Sequence, residues 1–212
     1  MPEDWYGQVT PGPDNTFYFD IQPKNLTPDQ QAALRTLYNT LVKIRGDDVG
    51  DAIAIVDAED ITDEKAKNIR LAKLIKEKFD EDRRMTSGSS EERTGGITVK
   101  TASFHTDIIK LAAGGIDIPG KAIQDDLESF ILLIKNSIAQ GGTTGKPDVE
   151  VKYIVASFFS ANDFTGDFTA QVRYIWFEVT ADMVEVCQGK DSTSITTLDF
   201  DFSTTDYTLI PK

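Results

Sequence analysis

The chain is predicted to be a three-layer α+β protein, in which one central, mainly antiparallel sheet is flanked by two helical hairpins. Three observations predict this. Strand-like and helix-like segments alternate in the order strand, two helices, strand, two helices, then a block of long strands. The segment 148–187 reads as two strand runs joined by a turn, each about twice the usual 5–6 residues. Both faces of each run carry bulky apolar side chains, so such a hairpin needs cover on both sides.

Residues 1–15 are rich in turn formers (Pro11, Gly12, Pro13, Asp14, Asn15) and read as a flexible N-terminal arm on a single domain spanning 1–212. Phe17–Ile21 forms a first strand, ended by Pro23. Thr27-Pro28-Asp29-Gln30 then supplies a helix N-cap, a proline at the first helical position and a capping-box glutamine. Leu34, Leu37, Tyr38, Leu41 and Ile44 follow at helical spacing, and Gly46 is the expected C-cap of a helix over 28–45. Asp51–Val56 admits either a strand or a helical turn.

A second helix is expected over 62–82, opened by Asp63 and Glu64 at its positive dipole end. Ile69, Ala72, Ile75 and Phe79 form its narrow apolar stripe, and its other faces are charged. Glu81–Gly96 is charged and rich in Ser and Gly, which predicts a mobile loop, and Ile97–Thr101 a short strand. Helices over 104–113 and 120–140 flank Gly114-Gly115. In the second of them Ile123, Leu127, Phe130, Ile131, Ile134 and Ile138 form one face, which Leu132 and Leu133 widen, making it the most buried helix. The long strands 149–159 and 168–179 follow, with Met183–Cys187 as a third strand or a continuation of the hairpin. Ser194–Phe202 alternates like an edge strand.

Composition excludes several functions. The net charge is −13 over 212 residues, which opposes nucleic-acid binding and offers anionic lipid no general attraction. The single cysteine, Cys187, excludes an internal disulfide and a cysteine zinc site; its apolar setting makes it an inert buried thiol. No secretory signal pattern is visible. Apolar runs stop at four to five residues, far below the ~20 of a spanning helix. The chain is therefore expected to be soluble as made, with its route out of the producing cell left open between secretion, lysis and an inclusion body.

Catalytic and cofactor chemistry finds no foothold. His105 is the only histidine and has neither a cysteine pair nor a carboxylate cluster about it, so a triad or metal role is set aside. Asp57, Glu59, Asp60, Asp63 and Glu64 lack the glycine and terminal glutamate of a calcium loop and read as a loop leading into a charged helical turn. Asp125, Asp126 and Glu128 read as a solvated helix face. No cofactor, metal or enzymatic activity is expected.

The aromatic load of the hairpin stands out: Phe158, Phe159, Phe164, Phe168, Tyr174, Trp176 and Phe177. These are either core under two helical layers or the membrane-contacting residues of strands that enter lipid. Val149–Phe159 and Phe168–Val179 each meet the ~9–11 residues of a spanning strand. Glu150, Lys152, Arg173 and Glu178 would then need a water-filled lumen or a charged neighbour.

The order of segments and the hairpin together resemble the Cyt δ-endotoxins of insecticidal bacilli and the related mushroom cytolysin volvatoxin. The resemblance is carried by Tyr153-Ile-Val-Ala-Ser-Phe158, the turn Asn162-Asp-Phe-Thr165-Gly166, and Phe177-Glu178-Val179-Thr180. FYFDIQPKNL and Gly50-Asp51-Ala52 fall in matching order. It implies a Cyt-like fold and a membrane-binding, pore-forming or membrane-disrupting cytolysin. Its partners would be target-cell membrane lipids and further copies of the chain, with insecticidal or haemolytic action and helices that detach from the sheet. Whether strands form a barrel or helices disrupt the bilayer from its surface stays open. So does a non-lytic role in binding a lipid, a glycan or a protein.

Overall fold

The computed structural model describes residues 5–100, 124–141, 151–161, 167–188 and 197–209. Its elements are β1 (Trp5–Pro11), β2 (Thr16–Pro23), α1 (Pro28–Ala58), α2 (Glu64–Glu81), β3 (Met85–Lys100), α3 (Gln124–Gly141), β4 (Val151–Ala161), β5 (Phe168–Glu178), α4 (Ala181–Cys187) and β6 (Thr197–Leu209). The strands form one six-stranded sheet in the order β1-β2-β4-β5-β6-β3. All neighbours pair antiparallel except β2 and β4, which run parallel. The α+β class and the mainly antiparallel sheet agree with the sequence reading.

Helices cover both sheet faces. Leu34, Leu41 and Ile44 of α1 and Leu74, Ile75 and Phe79 of α2 pack with Tyr153, Phe159, Tyr174 and Trp176 in one core. Phe130, Ile134 and Ile138 of α3 and Met183, Val184 and Cys187 of α4 pack with Phe17, Phe19, Ile154 and Phe177 in the other. Alternation along each strand sorts the two sets: odd-numbered residues of β4 face α1–α2, and even-numbered ones face α3–α4. The 104–113 helix expected to complete the second hairpin lies outside the described residues.

The capping box at α1 forms as read, with the Gln30 amide N–H donating to Thr27 Oγ1 at 3.3 Å and the Thr27 N–H to Gln30 Oε1 at 3.0 Å. The helix does not stop at Gly46. It runs on to Ala58, capped by Glu59, and absorbs the 51–56 stretch as helix. The buried face continues through Asp48, Val49, Ala52 and Val56. Burial of that stripe outweighs the roughly 1 kcal/mol that an interior glycine costs a helix.

Five further expectations change. The arm at 1–15 contains the edge strand β1, registered on β2 from Trp5↔Pro23 to Pro11↔Phe17. The expected loop at 81–96 and the strand at 97–101 merge into β3, which pairs with β6 through two register shifts. Its Ser, Gly and Glu content suits an outer strand, where charges and bulges discourage pairing with another chain. Because β3 pairs with β6 from Thr197 on, the outermost strand on that side is β3 and not the described part of the 194–202 segment. Met183–Cys187 is helical rather than extended, because Thr180 caps it by accepting the Met183 N–H at 3.3 Å. On α3, Leu132 is 56% exposed, so the apolar stripe is narrower than its composition implies.

Candidate functional site: the covered β4–β5 hairpin

β4 and β5 are registered without a break over eleven pairs, from Val151↔Glu178 to Ala161↔Phe168. The face toward α1–α2 carries Val151, Tyr153, Val155, Ser157 and Phe159 on β4, and Phe168, Ala170, Val172, Tyr174 and Trp176 on β5. It holds no charge until Glu178 at its rim, which pairs with Lys65 of α2. Aromatics sit at both ends of this face, Tyr153 beside Trp176 at one and Phe159 and Phe168 at the other. Between them lie small and β-branched residues and one further aromatic, Tyr174, opposite Val155.

The opposite face mixes apolar and polar groups. Lys152 is fully buried, and its Nζ donates to Asn15 Oδ1 at 3.0 Å and Ser137 Oγ at 2.9 Å. Arg173 grips Asp206 of β6 through two bonds of 2.5 and 2.7 Å. Lys152, Arg173 and Glu178, flagged in the sequence, therefore all have partners in the folded chain. Glu150 lies outside the described residues.

The aromatic candidates divide between the two cores. Phe159, Phe168, Tyr174 and Trp176 are buried under α1–α2, and Phe177 is buried under α3–α4. Phe158 is half-buried and stacks on Trp5 of β1 with ring centroids 4.9 Å apart. Phe164 and its turn lie outside the described residues, as does His105. In this state the described candidates form core rather than an exposed lipid surface. Asp126, read as solvated, instead accepts the Gly7 N–H at 2.8 Å and ties α3 to β1. The acidic 57–64 cluster serves α2: Asp57 pairs with Lys67, Glu59 with Arg70, and Asp63 caps the helix by accepting the Ala66 N–H.

The sequence did not announce how the α1–α2 layer is fastened to the sheet. The first attachment is a buried ion pair. Arg45 of α1 donates to Asp20 Oδ2 at 2.9 Å and Oδ1 at 2.5 Å, and to Ser157 Oγ at 3.0 Å. Ser157 in turn donates to Asp20. The guanidinium also lies 4.7 Å from the Tyr18 ring centroid. One α1 side chain thus holds β2 and β4 together. A carboxylate in the strand motif FYFDI, where an apolar residue is the norm, was its only sequence signal.

The second attachment is a row of tyrosines. Tyr153 of β4, Tyr174 of β5 and Tyr207 of β6 donate their hydroxyls to the carbonyls of Asn68, Ala72 and Lys76 at 2.8, 3.0 and 3.4 Å. The acceptors are four residues apart, so three successive turns of α2 cross three neighbouring strands. Each carbonyl keeps its helical bond and offers a second lone pair. The single Tyr207 proton is shared with Asp80 Oδ1, at 3.0 Å the nearer of its two acceptors. Burial pushes the pKa of all three hydroxyls up, so they remain protonated donors. Burial likewise pushes the Cys187 thiol up to about 11, which leaves it protonated at neutral pH.

The fold and site define an α+β protein with a hairpin enclosed between helical layers. Solved structures similar to this chain include the Evf virulence factor, at 16% identity and a TM-score of 0.45 over 92% of this chain and 70% of that one. They also include a delta-endotoxin, at 14% identity and a TM-score of 0.46 over 93% and 81%. A third is the activated Cyt2Ba monomer from Bacillus thuringiensis subsp. israelensis, at 13% identity and a TM-score of 0.40 over 93% and 98%. The family that the sequence resembles is thus present among them. No protein-family model and no curated protein matches the chain.

Proposed function

We propose that this protein is a membrane-permeabilising, toxin-like protein that stores its β4–β5 hairpin under a detachable α1–α2 cover. The observation that carries the reading is the asymmetry of the hairpin. Its α1–α2 face is free of charge over ten residues with aromatics at both ends, the pattern of a lipid-facing barrel strand with interfacial girdles. Its other face, with Lys152, Gln171 and Arg173, suits a polar lumen. Phe159, Phe168, Tyr174 and Trp176 then become the lipid contacts, and Phe158 and Phe177 do not.

Eleven residues per strand match the ~9–11 that cross a bilayer. One hairpin leaves two open edges, so a stable insertion needs several copies closed into a barrel. Among the described residues no helix is long and apolar enough to cross a membrane, which leaves the strands as the elements able to span. The protein acts without catalysis or a cofactor.

Dye release from neutral and anionic vesicles tests the proposal, alongside detection of SDS-resistant oligomers. Leakage is expected from the parent chain, loss of leakage when an engineered disulfide ties α2 to β5, and recovery on reduction. Absence of leakage from every vesicle, with the chain monomeric throughout, would refute it; leakage unchanged by the disulfide would refute the detachable cover.

A further inference from the structure

A cleft of about 530 Å³ opens between the β1–β2 edge and the N-terminal half of α1, away from the β4–β5 hairpin itself but walled on one side by a helix of its cover. Its volume lies within the ~300–1,000 Å³ of small-molecule sites, and its lining is unusual for this chain. Although the net charge is −13, no carboxylate lines the cleft, whereas Lys24 and Arg35 do. Residues 30–46 contain no Asp or Glu at all. Neither Lys24 nor Arg35 has an ion-pair partner among the described residues, although most described cations of α2 do.

Amides and tyrosines supply the rest of the chemistry. Gln22 is a buried residue that reaches the cleft from β2, and its Oε1 accepts the Tyr6 hydroxyl at 2.8 Å. That bond orients the amide and leaves its two N–H donors for a ligand. Gln31 is oriented the opposite way: its Nε2 donates to Leu26 O at 3.0 Å, leaving its carbonyl oxygen as an acceptor. Asn39, one turn beyond Arg35 on α1, adds a further amide. The Tyr6 and Tyr38 rings provide apolar surface between these polar groups.

We infer that this cleft binds an acidic sugar, with Arg35 and Lys24 on its carboxylate, the amides on its hydroxyls and the tyrosine rings against its C–H face. A hydroxyl both donates and accepts, so it can use amide N–H and amide carbonyl oxygens alike. A phosphate or a phosphocholine headgroup accepts only, and the carbonyl oxygens would face it without a partner. The carboxylate suits a planar guanidinium, which can bind it through two parallel bonds. The ligand comes from a glycoprotein or from a glycolipid, and the chemistry is the same for both.

The test titrates the full chain with 3′-sialyllactose and with lactose, followed by isothermal calorimetry and NMR shift mapping. Saturable binding of sialyllactose is expected, with lactose weaker by about tenfold or more. Arg35→Gln and Asn39→Asp should each weaken sialyllactose by about tenfold with little effect on lactose. Both positions are solvent-exposed, so the variants keep the parent near-ultraviolet dichroism. Flotation with ganglioside vesicles, against phosphatidylcholine alone, then assigns the source. Ganglioside-dependent flotation supports a glycolipid, and saccharide binding without flotation supports a glycoprotein. Failure of sialyllactose to saturate, equal affinity for the two, or unchanged binding in both variants would overturn the inference. None of these outcomes depends on whether vesicles leak, so this site and the hairpin reading stand or fall separately.

Discussion

Arg45 of α1 and Asp20 of β2 form a bidentate ion pair whose side chains are only 4% and 1% exposed. Their burial makes the pair a two-sided element: intact, its Coulomb gain is offset by desolvation, but broken, it strands a charge in the core. Arg45→Met is therefore expected to cost about 3–5 kcal/mol. The double variant Arg45→Met/Asp20→Leu should recover much of that loss. Denaturant midpoints for the two single variants and the double close the cycle. Additive losses would show that the two side chains are not coupled.

The tyrosine row predicts three smaller and separate losses. Tyr153→Phe, Tyr174→Phe and Tyr207→Phe each remove one hydroxyl bond to α2 and keep the ring packed, at about 0.5–1.5 kcal/mol each. Tyr207→Phe should fall at the upper end, because it also frees Asp80. If the α1–α2 layer is the detachable cover, the same variants release dye from vesicles faster than the parent chain. Slower release in all three would contradict that role.

Asp48 makes stability depend on pH around neutrality. It lies on the buried face of α1, its Oδ2 is buried without a partner, and Asp82, Asp47 and Arg84 surround it. Burial, followed by the Asp82 charge, pushes its pKa up to about 7, against about 4 in an unfolded chain. Between those values the native state holds a proton that the unfolded state releases. Stability therefore falls as pH rises from ~4 to ~7 and levels off above. Asp48→Asn should flatten that slope, read as melting temperature at about pH 5, 6.5 and 8. An unchanged slope would place the titration elsewhere.

Gly46 and Gly50 sit inside α1 on its solvent side, and a Cβ at either meets nothing within 4 Å. Gly46→Ala and Gly50→Ala should each stabilise the chain by about 0.5–1 kcal/mol by reducing the freedom lost on folding. Thermal melts check this, and destabilisation by both would mean that the helix bends there.

Most of the layer order was legible because periodicity survives in a linear reading. The Thr27 capping box, the stripe of α2 and the paired runs of β4 and β5 each announce themselves within a dozen residues. The errors fell where a local signal met a distant partner. Gly46 reads as a stop, and only the burial of Val49, Ala52 and Val56 against the sheet and α2 carries the helix through it. Glu91 and Glu92 read as loop, yet β6 supplies a paired neighbour that makes them strand. Thr180 caps a helix where the apolar residues after it resemble more strand.

The sequence by itself determined an acidic α+β chain with an aromatic-laden hairpin of unusually long strands that had to be covered. Only the tertiary structure decided which face of that hairpin is free of charge and which helices lie on it. It alone joined Arg45 to Asp20 and Ser157, and set the three tyrosines beneath successive turns of α2. Strand alternation states that two faces exist. Which face meets which helix depends on contacts between distant residues, such as Arg45 with Ser157 and Tyr174 with Ala72, each more than a hundred positions apart, and no local pattern encodes them.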